Sequence, residues 1–106
     1  MAPLRAVLAD RSAAEDARLL ASEILQKTGS QDPSLRQECV AAILAELARF
    51  EENSHYFNGR VIADLVLMKA VIAAPTIERA YRANRVDDSF AGTWDEVRRM
   101  LGVGSD

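Results

Sequence analysis

The chain has little of what metal sites and disulfide frameworks are made from. Among its 106 residues there is one cysteine, Cys39, and one histidine, His55. A single cysteine excludes an intramolecular disulfide, and a single histidine excludes any metal site that needs two histidine ligands. We therefore expect no cofactor and no metal, and a reducing environment suits the chain.

Long apolar runs are also missing. The longest, residues 61–74, is interrupted by Asp64 and Lys69 and is too short to cross a bilayer. The first residues lack the basic and apolar regions of a secretory signal. The net charge of -3 argues against nucleic acid or an anionic membrane as partner, because phosphate affinity comes from clustered Lys and Arg. These features predict a cytoplasmic protein with no membrane contact.

Patterns typical of β-strands are absent as well. No run of four or more alternating β-branched or aromatic residues occurs, and aromatic residues make up only 6% of the chain. Alanine, leucine, glutamate and arginine are abundant, and each of them favours helix. No linker divides the sequence. It therefore predicts one all-α domain over residues 1–106, with about six helices.

Capping residues and apolar spacing predict where these helices lie. Asp32 followed by Pro33 is typical of a helix start, as are the capping-box sequences at residues 12–15 and 93–96, while Gly29 and Gly102 are suited to helix ends. The predicted helices cover residues 4–9, 12–29, 33 to about 52, about 60–73, 76 to about 85, and 94–101. Residues 53–59 are predicted to form a loop.

The apolar residues predict which faces are buried. In the second helix they form a stripe at three- and four-residue spacing, consisting of Ala17, Leu20, Ala21, Ile24 and Thr28. In the fourth helix they cover most of the circumference, which predicts a central helix; they are Val61, Ile62, Leu65, Val66, Met68, Val71 and Ile72.

One segment carries a repeat motif. In residues 32–43 an aspartate is followed at fixed steps by an aliphatic residue, an arginine, small residues and a further aliphatic residue; these are Asp32, Leu35, Arg36, Cys39, Ala42 and Ile43. The aspartate is suited to cap the helix and the small residues to permit close packing of helices. This segment resembles the second helix of a HEAT-type repeat, and the C-terminal stretch, residues 58–102, resembles the closing segment of bacterial HEAT-like proteins.

The resemblance implies a short right-handed stack of antiparallel helix pairs, as in HEAT and armadillo solenoids, with units at residues 12–52 and 58–101. It implies a non-catalytic scaffold that binds a protein partner on the surface of its helices. Two units are fewer than the three usually needed to bury a continuous core. We therefore expect the chain to cap itself, to form a homodimer, or to correspond to the end of a longer solenoid.

Candidate contact residues fall into two groups. Tyr56 and Phe57, in the predicted loop, and Trp94, at the start of the last helix, are candidate anchors for a protein partner, although Trp94 also suits packing of the last helix against the body. Arg79, Arg82 and Arg85 recur at steps of three and predict a basic face for an acidic partner.

A second hypothesis uses the same basic residues differently. Together with Arg98 and Arg99 they would form a phosphate- or nucleic-acid-binding accessory site, near acidic residues at positions 87, 88 and 96. The sequence offers no nucleophile with a base at a fixed spacing, so we expect no enzyme activity. Cys39 is expected to be a buried spacer between helices, and His55 to brace a loop.

Overall fold

The computed structural model describes residues 2–103, and helices are the only regular structure in that range. They are α1 (Ala2–Ala9), α2 (Glu15–Gln31), α3 (Pro33–Leu47), α4 (His55–Leu67), a 3-10 turn (Val71–Ala73), α5 (Ala74–Arg82) and α6 (Trp94–Leu101). The prediction of an all-helical chain with six helices is confirmed. Its ends at residues 1 and 104–106 lie outside the described residues.

Helix ends that depend on local sequence lie where they were predicted. The Asp32 side chain accepts a hydrogen bond from the backbone N–H of Ser34, and Pro33 occupies the first position of α3. Thr93 and Glu96 form a reciprocal capping box at the start of α6. Gly102 ends α6 in the left-handed conformation, with φ of 75°. These predictions are confirmed.

The predicted ends of α2 are wrong at both sides. The Ser12 hydroxyl donates to the Asp10 carboxylate at 2.6 Å instead of capping the helix, which begins at Glu15. Gly29 lies inside α2 and is buried. A Cβ atom at Gly29 would lie 2.9 Å from the Cβ atom of Cys39, so this glycine permits the close approach of α2 and α3.

The predicted buried face of α2 is confirmed for Ala21 but wrong for Ala17, Leu20 and Ile24. Arg18, Leu19, Ala21, Ser22, Leu25 and Gly29 are buried, whereas Leu20 and Ile24 are exposed at 56% and 38%. The helix is rotated because two polar side chains find partners in the interior. Arg18 meets Glu46 of α3, and Ser22 donates to Asp64 of α4. Apolar spacing alone does not reveal these pairs.

The bounds of α4 differ from the prediction at both ends. Ser54 caps α4, so residues 55–59 are helical instead of forming a loop. At the other end, the N–H of Lys69 donates to the carbonyl of Val66, and that of Ala70 to the carbonyl of Leu65. This is a Schellman motif with lysine, φ 55°, in the left-handed position usually held by glycine. It ends the helix before Val71.

Similar shifts occur in α3 and α5. The helix α3 ends at Leu47 and continues as turns, five residues before its predicted end. The helix α5 ends at Arg82, because Asn84 adopts a left-handed conformation with φ of 58°. Both shifts shorten the helices relative to the prediction, and they leave more of the chain in turns.

The core lies between α2, α3 and α4. The helix α2 packs against α1, α3 and α4. The helix α5 packs against both α3 and α6. The fully buried large side chains include Leu25, Ile43, Leu47, Phe57, Ile62, Leu65 and Ile77. The prediction that the fourth helix is buried on several sides is wrong for Val71 and Ile72, which are exposed, and is confirmed for its other apolar residues, which are Val61, Ile62, Leu65, Val66 and Met68.

A buried ion pair joins the first four helices. The Nε of Arg18 donates to the carbonyl of Leu8 at 2.8 Å, and its Nη2 donates to Glu46 at 3.1 Å. The guanidinium also lies over the ring of Phe57, 4.4 Å from its centre. Burial lowers the pKa of Arg18, and the Glu46 carboxylate opposes that change. Both buried charges therefore have a counter-ion and hydrogen bonds, which a buried charge requires.

We expect removal of Glu46 to destabilise the protein strongly. Glu46→Leu should lower the free energy of unfolding by about 3 kcal/mol or more, since it leaves the Arg18 cation buried without a counter-ion. Urea denaturation measures this loss. The double variant Arg18→Met/Glu46→Leu should recover part of it. Glu78→Leu, which removes the exposed pair with Arg82, should change stability by less than about 1 kcal/mol.

We expect Gly59→Ala to destabilise the protein although alanine is the better helix former. A Cβ atom at Gly59 would clash with the backbone carbonyl oxygen of Asp87, which cannot swing away as a side chain could. The loss should be about 1–3 kcal/mol in urea denaturation. The matched control is the opposite change, Ala45→Gly, at an exposed position of α3. It should lower the free energy of unfolding by about 1 kcal/mol, because glycine has the lower helix propensity. A more stable Gly59→Ala protein would contradict this close contact.

Candidate functional site

A groove lies beside α3, with a volume of about 460 Å³. One side is the edge of α3, and the other is the turn that links α4 to the 3-10 turn. The lining residues are Pro33, Arg36, Gln37, Val40, Ala41, Leu44, Lys69, Ala70, Val71 and Ile72. We call this surface the α3 groove.

The edge of α3 presents small and aliphatic residues at three- and four-residue spacing. Gln37, Ala41 and Leu44 follow one another along it, with Val40 at the base. From Pro33 to Leu44 the edge runs for about 16 Å, since each residue of a helix rises about 1.5 Å. This length suits two or three turns of a docked helix or a short extended segment.

The opposite side of the groove is formed by exposed aliphatic residues. Ile72 is exposed at 74% and Val71 at 50%. They stand outside the core because the Schellman motif at Lys69 reverses the chain before them. Two backbone N–H groups in this turn are satisfied, since those of Val71 and Ala73 donate to the carbonyls of Lys69 and Ala70. The two side chains are thus presented on a hydrogen-bonded backbone.

The charged side chains that line the α3 groove are both cations. Arg36 donates to the carbonyl of Lys69 at 3.2 Å, and the Lys69 ammonium lies 3.4 Å from the carbonyl of Met100. Neither of these contacts neutralises the cation. The groove therefore combines an apolar base with a positively charged rim.

The residues of the predicted repeat motif lie at the cap, in the interior and at the surface of α3. Asp32 caps α3, Cys39 and Ile43 are fully buried, and Leu35 and Ala42 are half-buried. Burial raises the pKa of the Cys39 thiol. The expectation that Cys39 is a buried spacer is confirmed, and the thiol is poorly suited to act as a nucleophile.

The three aromatic candidates lie in different surroundings. Phe57 is completely buried under the Arg18 guanidinium, so it is not available to a partner. Tyr56 is exposed and packs edge-on against Phe90, with the Arg60 guanidinium near both rings. Trp94 packs against the core, and its ring centre lies 6.1 Å from that of Tyr81. Trp94 thus helps to hold α6 against α5.

The basic series is largely occupied by contacts within the chain. Arg82 forms an ion pair with Glu78, and Arg79 lies 3.5 Å from the Thr76 hydroxyl. Arg85 turns inward and donates to the carbonyls of Asn53 and Glu51. The further candidates Arg98 and Arg99 both pair with Asp95. The predicted basic face is therefore interrupted by acidic partners, and Arg85 holds the turn after α3.

His55 and Asp87 both make contacts within the fold. His55 begins α4, and one of its ring nitrogens lies 3.2 Å from the Arg85 guanidinium. Hydrogen bonds from the Ser89 side chain and from its backbone N–H lower the pKa of Asp87. Among residues 2–103 no group of three or more His, Cys, Asp or Glu side chains is placed to hold a metal ion. In the same range no helix is long and apolar enough to span a membrane.

Comparisons with protein-family models, with curated proteins and with solved structures found no match to this chain.

Several groove residues were not singled out by the sequence. The sequence predicts that a long buried helix ends with Lys69, Val71 and Ile72, because glycine, the usual residue at a helix end, is missing there. Pro75 does not reveal the earlier end, because it restricts only the residue before it, and Ala74 is nevertheless helical, with φ of -54° and ψ of -44°. Gln37 and Ala41 carry no signal of their own, since small and polar residues are ordinary on an exposed helix face.

A buried acid links α2 to α4 away from the groove. Asp64 accepts a hydrogen bond of 2.6 Å from the Ser22 hydroxyl. Burial raises the pKa of Asp64 to about 6, while Ser22 and the Arg60 cation lower it and the Glu23 carboxylate raises it further. The folded protein therefore binds a proton at Asp64 more tightly than the unfolded chain does.

We expect this acid to make the protein more stable at mildly acidic pH. Its contribution is complete below about pH 4, where Asp64 is protonated in both states, and it is lost as pH rises through 6. Asp64→Asn should remove this dependence and be more stable than the natural protein at pH 7. Urea denaturation at pH 4.5, 5.5 and 7 measures it. Equal slopes in the two proteins would contradict the prediction.

Proposed function

We propose that this protein is a non-catalytic module that binds a partner protein in the α3 groove. The observation that carries this proposal is the exposed pair Val71 and Ile72 on a hydrogen-bonded turn, facing an edge of α3 that bears small residues. Exposed aliphatic side chains beside a concave surface are typical of protein interaction sites.

The chemistry of the groove indicates the kind of segment it accepts. Its base is apolar, and its charged lining residues are Arg36 and Lys69. A matching segment has aliphatic side chains on one face and carboxylates at its edge. An amphipathic helix with anchors at three- and four-residue spacing has this form.

Lysine at position 69 supports the proposal. The left-handed conformation favours glycine, so a lysine there is strained by about 1 kcal/mol or more. In exchange, the position places an ammonium group at the rim of the groove. A cation that contacts acidic segments gives this residue a role that glycine lacks.

We further propose that the helices form HEAT-like pairs, as the repeat motif implies. Support comes from α2 and α3, which are joined by Asp32 alone and pack closely where Gly29 meets Cys39. The second unit would consist of α4, α5 and α6. In such a stack the α3 groove lies between the two units, where repeat proteins commonly offer binding surfaces. The ion pairs of Arg82 and Arg99 favour a protein partner over a phosphate ligand.

The proposal can be tested by selecting, from a displayed library of random 15-residue peptides, those that bind the purified protein. Selected peptides should combine aliphatic anchors with Asp or Glu, and should shift amide NMR signals of the groove residues. Ile72→Asp should weaken their binding at least tenfold, because it places a carboxylate among the apolar contacts. Leu67→Asp is the matched control: Leu67 is exposed at 65% outside the groove lining, and its change should leave binding intact.

Lys69→Asn tests the role of the charge without changing the backbone, because asparagine tolerates the left-handed conformation. It should weaken the binding of acidic peptides several-fold. The binding of peptides in which Asn and Gln replace the acidic residues should not change. Peptides that shift signals on other surfaces, or a selection without enrichment, would overturn the proposed function.

A further inference from the structure

The outward face of α2 carries an apolar stripe that no other helix covers. Ala17, Leu20 and Ile24 follow at steps of three and four, and all three are exposed. Leu20 and Ile24 are among the large aliphatic residues exposed on this fold. The same residues gave the sequence its strongest helical periodicity in this segment, so α2 has a second apolar face besides the buried one.

Opposite charges stand at the two ends of this stripe. Asp16 lies one turn before Leu20, and Lys27 lies just under two turns after it. At 100° per residue both side chains project within about 40° of the direction of Leu20. Asp16 is exposed and forms no ion pair within residues 2–103, while Lys27 contacts Glu23 at 3.3 Å and remains largely exposed.

From this arrangement we infer that the α2 face binds a second copy of itself in antiparallel orientation. About a two-fold axis, Leu20 of one copy lies opposite Ile24 of the other, and Asp16 lies opposite Lys27. The contact is self-complementary, as a two-fold interface must be, and it includes two ion pairs. A parallel pairing would instead place Asp16 beside Asp16 and Lys27 beside Lys27.

The dimensions allow this contact and indicate a weak dimer. Helices pack with their axes about 8–10 Å apart, which is within reach of a lysine and an aspartate at the same height. Three apolar residues from each copy cover less than a standard interface, so we expect association only at high protein concentration. The surface is distinct from the α3 groove, and the inference does not depend on the proposed function.

Sedimentation equilibrium from about 10 µM to 1 mM protein tests the inference, since weak dimers dissociate in this range. The average mass should rise from 11.6 kDa toward twice that value. Leu20→Glu should keep the chain monomeric throughout. Leu67→Glu, an exposed leucine on α4, is the matched control and should not change the association, and neither should Ile72→Asp in the α3 groove.

Charge exchange tests the antiparallel geometry. Asp16→Lys and Lys27→Asp should each weaken self-association at least threefold, because each places like charges in contact. A mixture of the two variants should associate as well as the natural protein, since both contacts are then between opposite charges. A monomer at every concentration overturns the inference, as does a dimer that Leu20→Glu or the charge variants leave unchanged.

Discussion

The buried contact between Arg18 and Glu46 sets the rotation of the helix on which the fold is built. Arg18 reaches the end of α1 through the Leu8 carbonyl, α3 through Glu46 and α4 through the ring of Phe57. A guanidinium loses much hydration when it is buried, so α2 must turn it toward these partners and not toward an apolar neighbour. Once Arg18 faces inward, Leu20 and Ile24 must face solvent.

A second polar network fixes the other half of the molecule. Asn58 is fully buried and donates to the carbonyls of Phe50 and Arg85, and it accepts a hydrogen bond from Asn53. The Arg85 guanidinium in turn binds carbonyls of the turn after α3. These contacts hold the connection after α5 against the start of α4. Arg85, which was predicted to lie on a basic face, thereby helps to hold the fold together.

Features decided by neighbouring residues were predictable from the sequence, and features decided by distant ones were not. The cap at Asp32, the capping box at Thr93 and the end at Gly102 depend on a few consecutive residues. The rotation of α2 depends on Glu46 and Asp64, which lie 28 and 42 positions from their partners. Apolar periodicity could not decide between the two apolar faces of α2, because only a distant carboxylate makes the Arg18 face the buried one.

The same reasoning explains why the α3 groove was hidden in the sequence. Val71 and Ile72 are residues that a core would accept, and the preceding pattern from Val61 is that of a buried helix. What excludes them is the hydrogen-bonded reversal at Lys69, because lysine is uncommon in the left-handed conformation that ends the helix there.

This reversal makes the groove separable from the stability of the fold. The backbone groups of the turn are paired with one another, and the exposed side chains add little to the core. Changes at the exposed Val71 and Ile72 should therefore cost less stability than changes at the buried Arg18, Glu46 and Asn58. Under the proposed function, such a surface can change with its partner without loss of the fold, and the cations on its rim would favour segments that carry carboxylates.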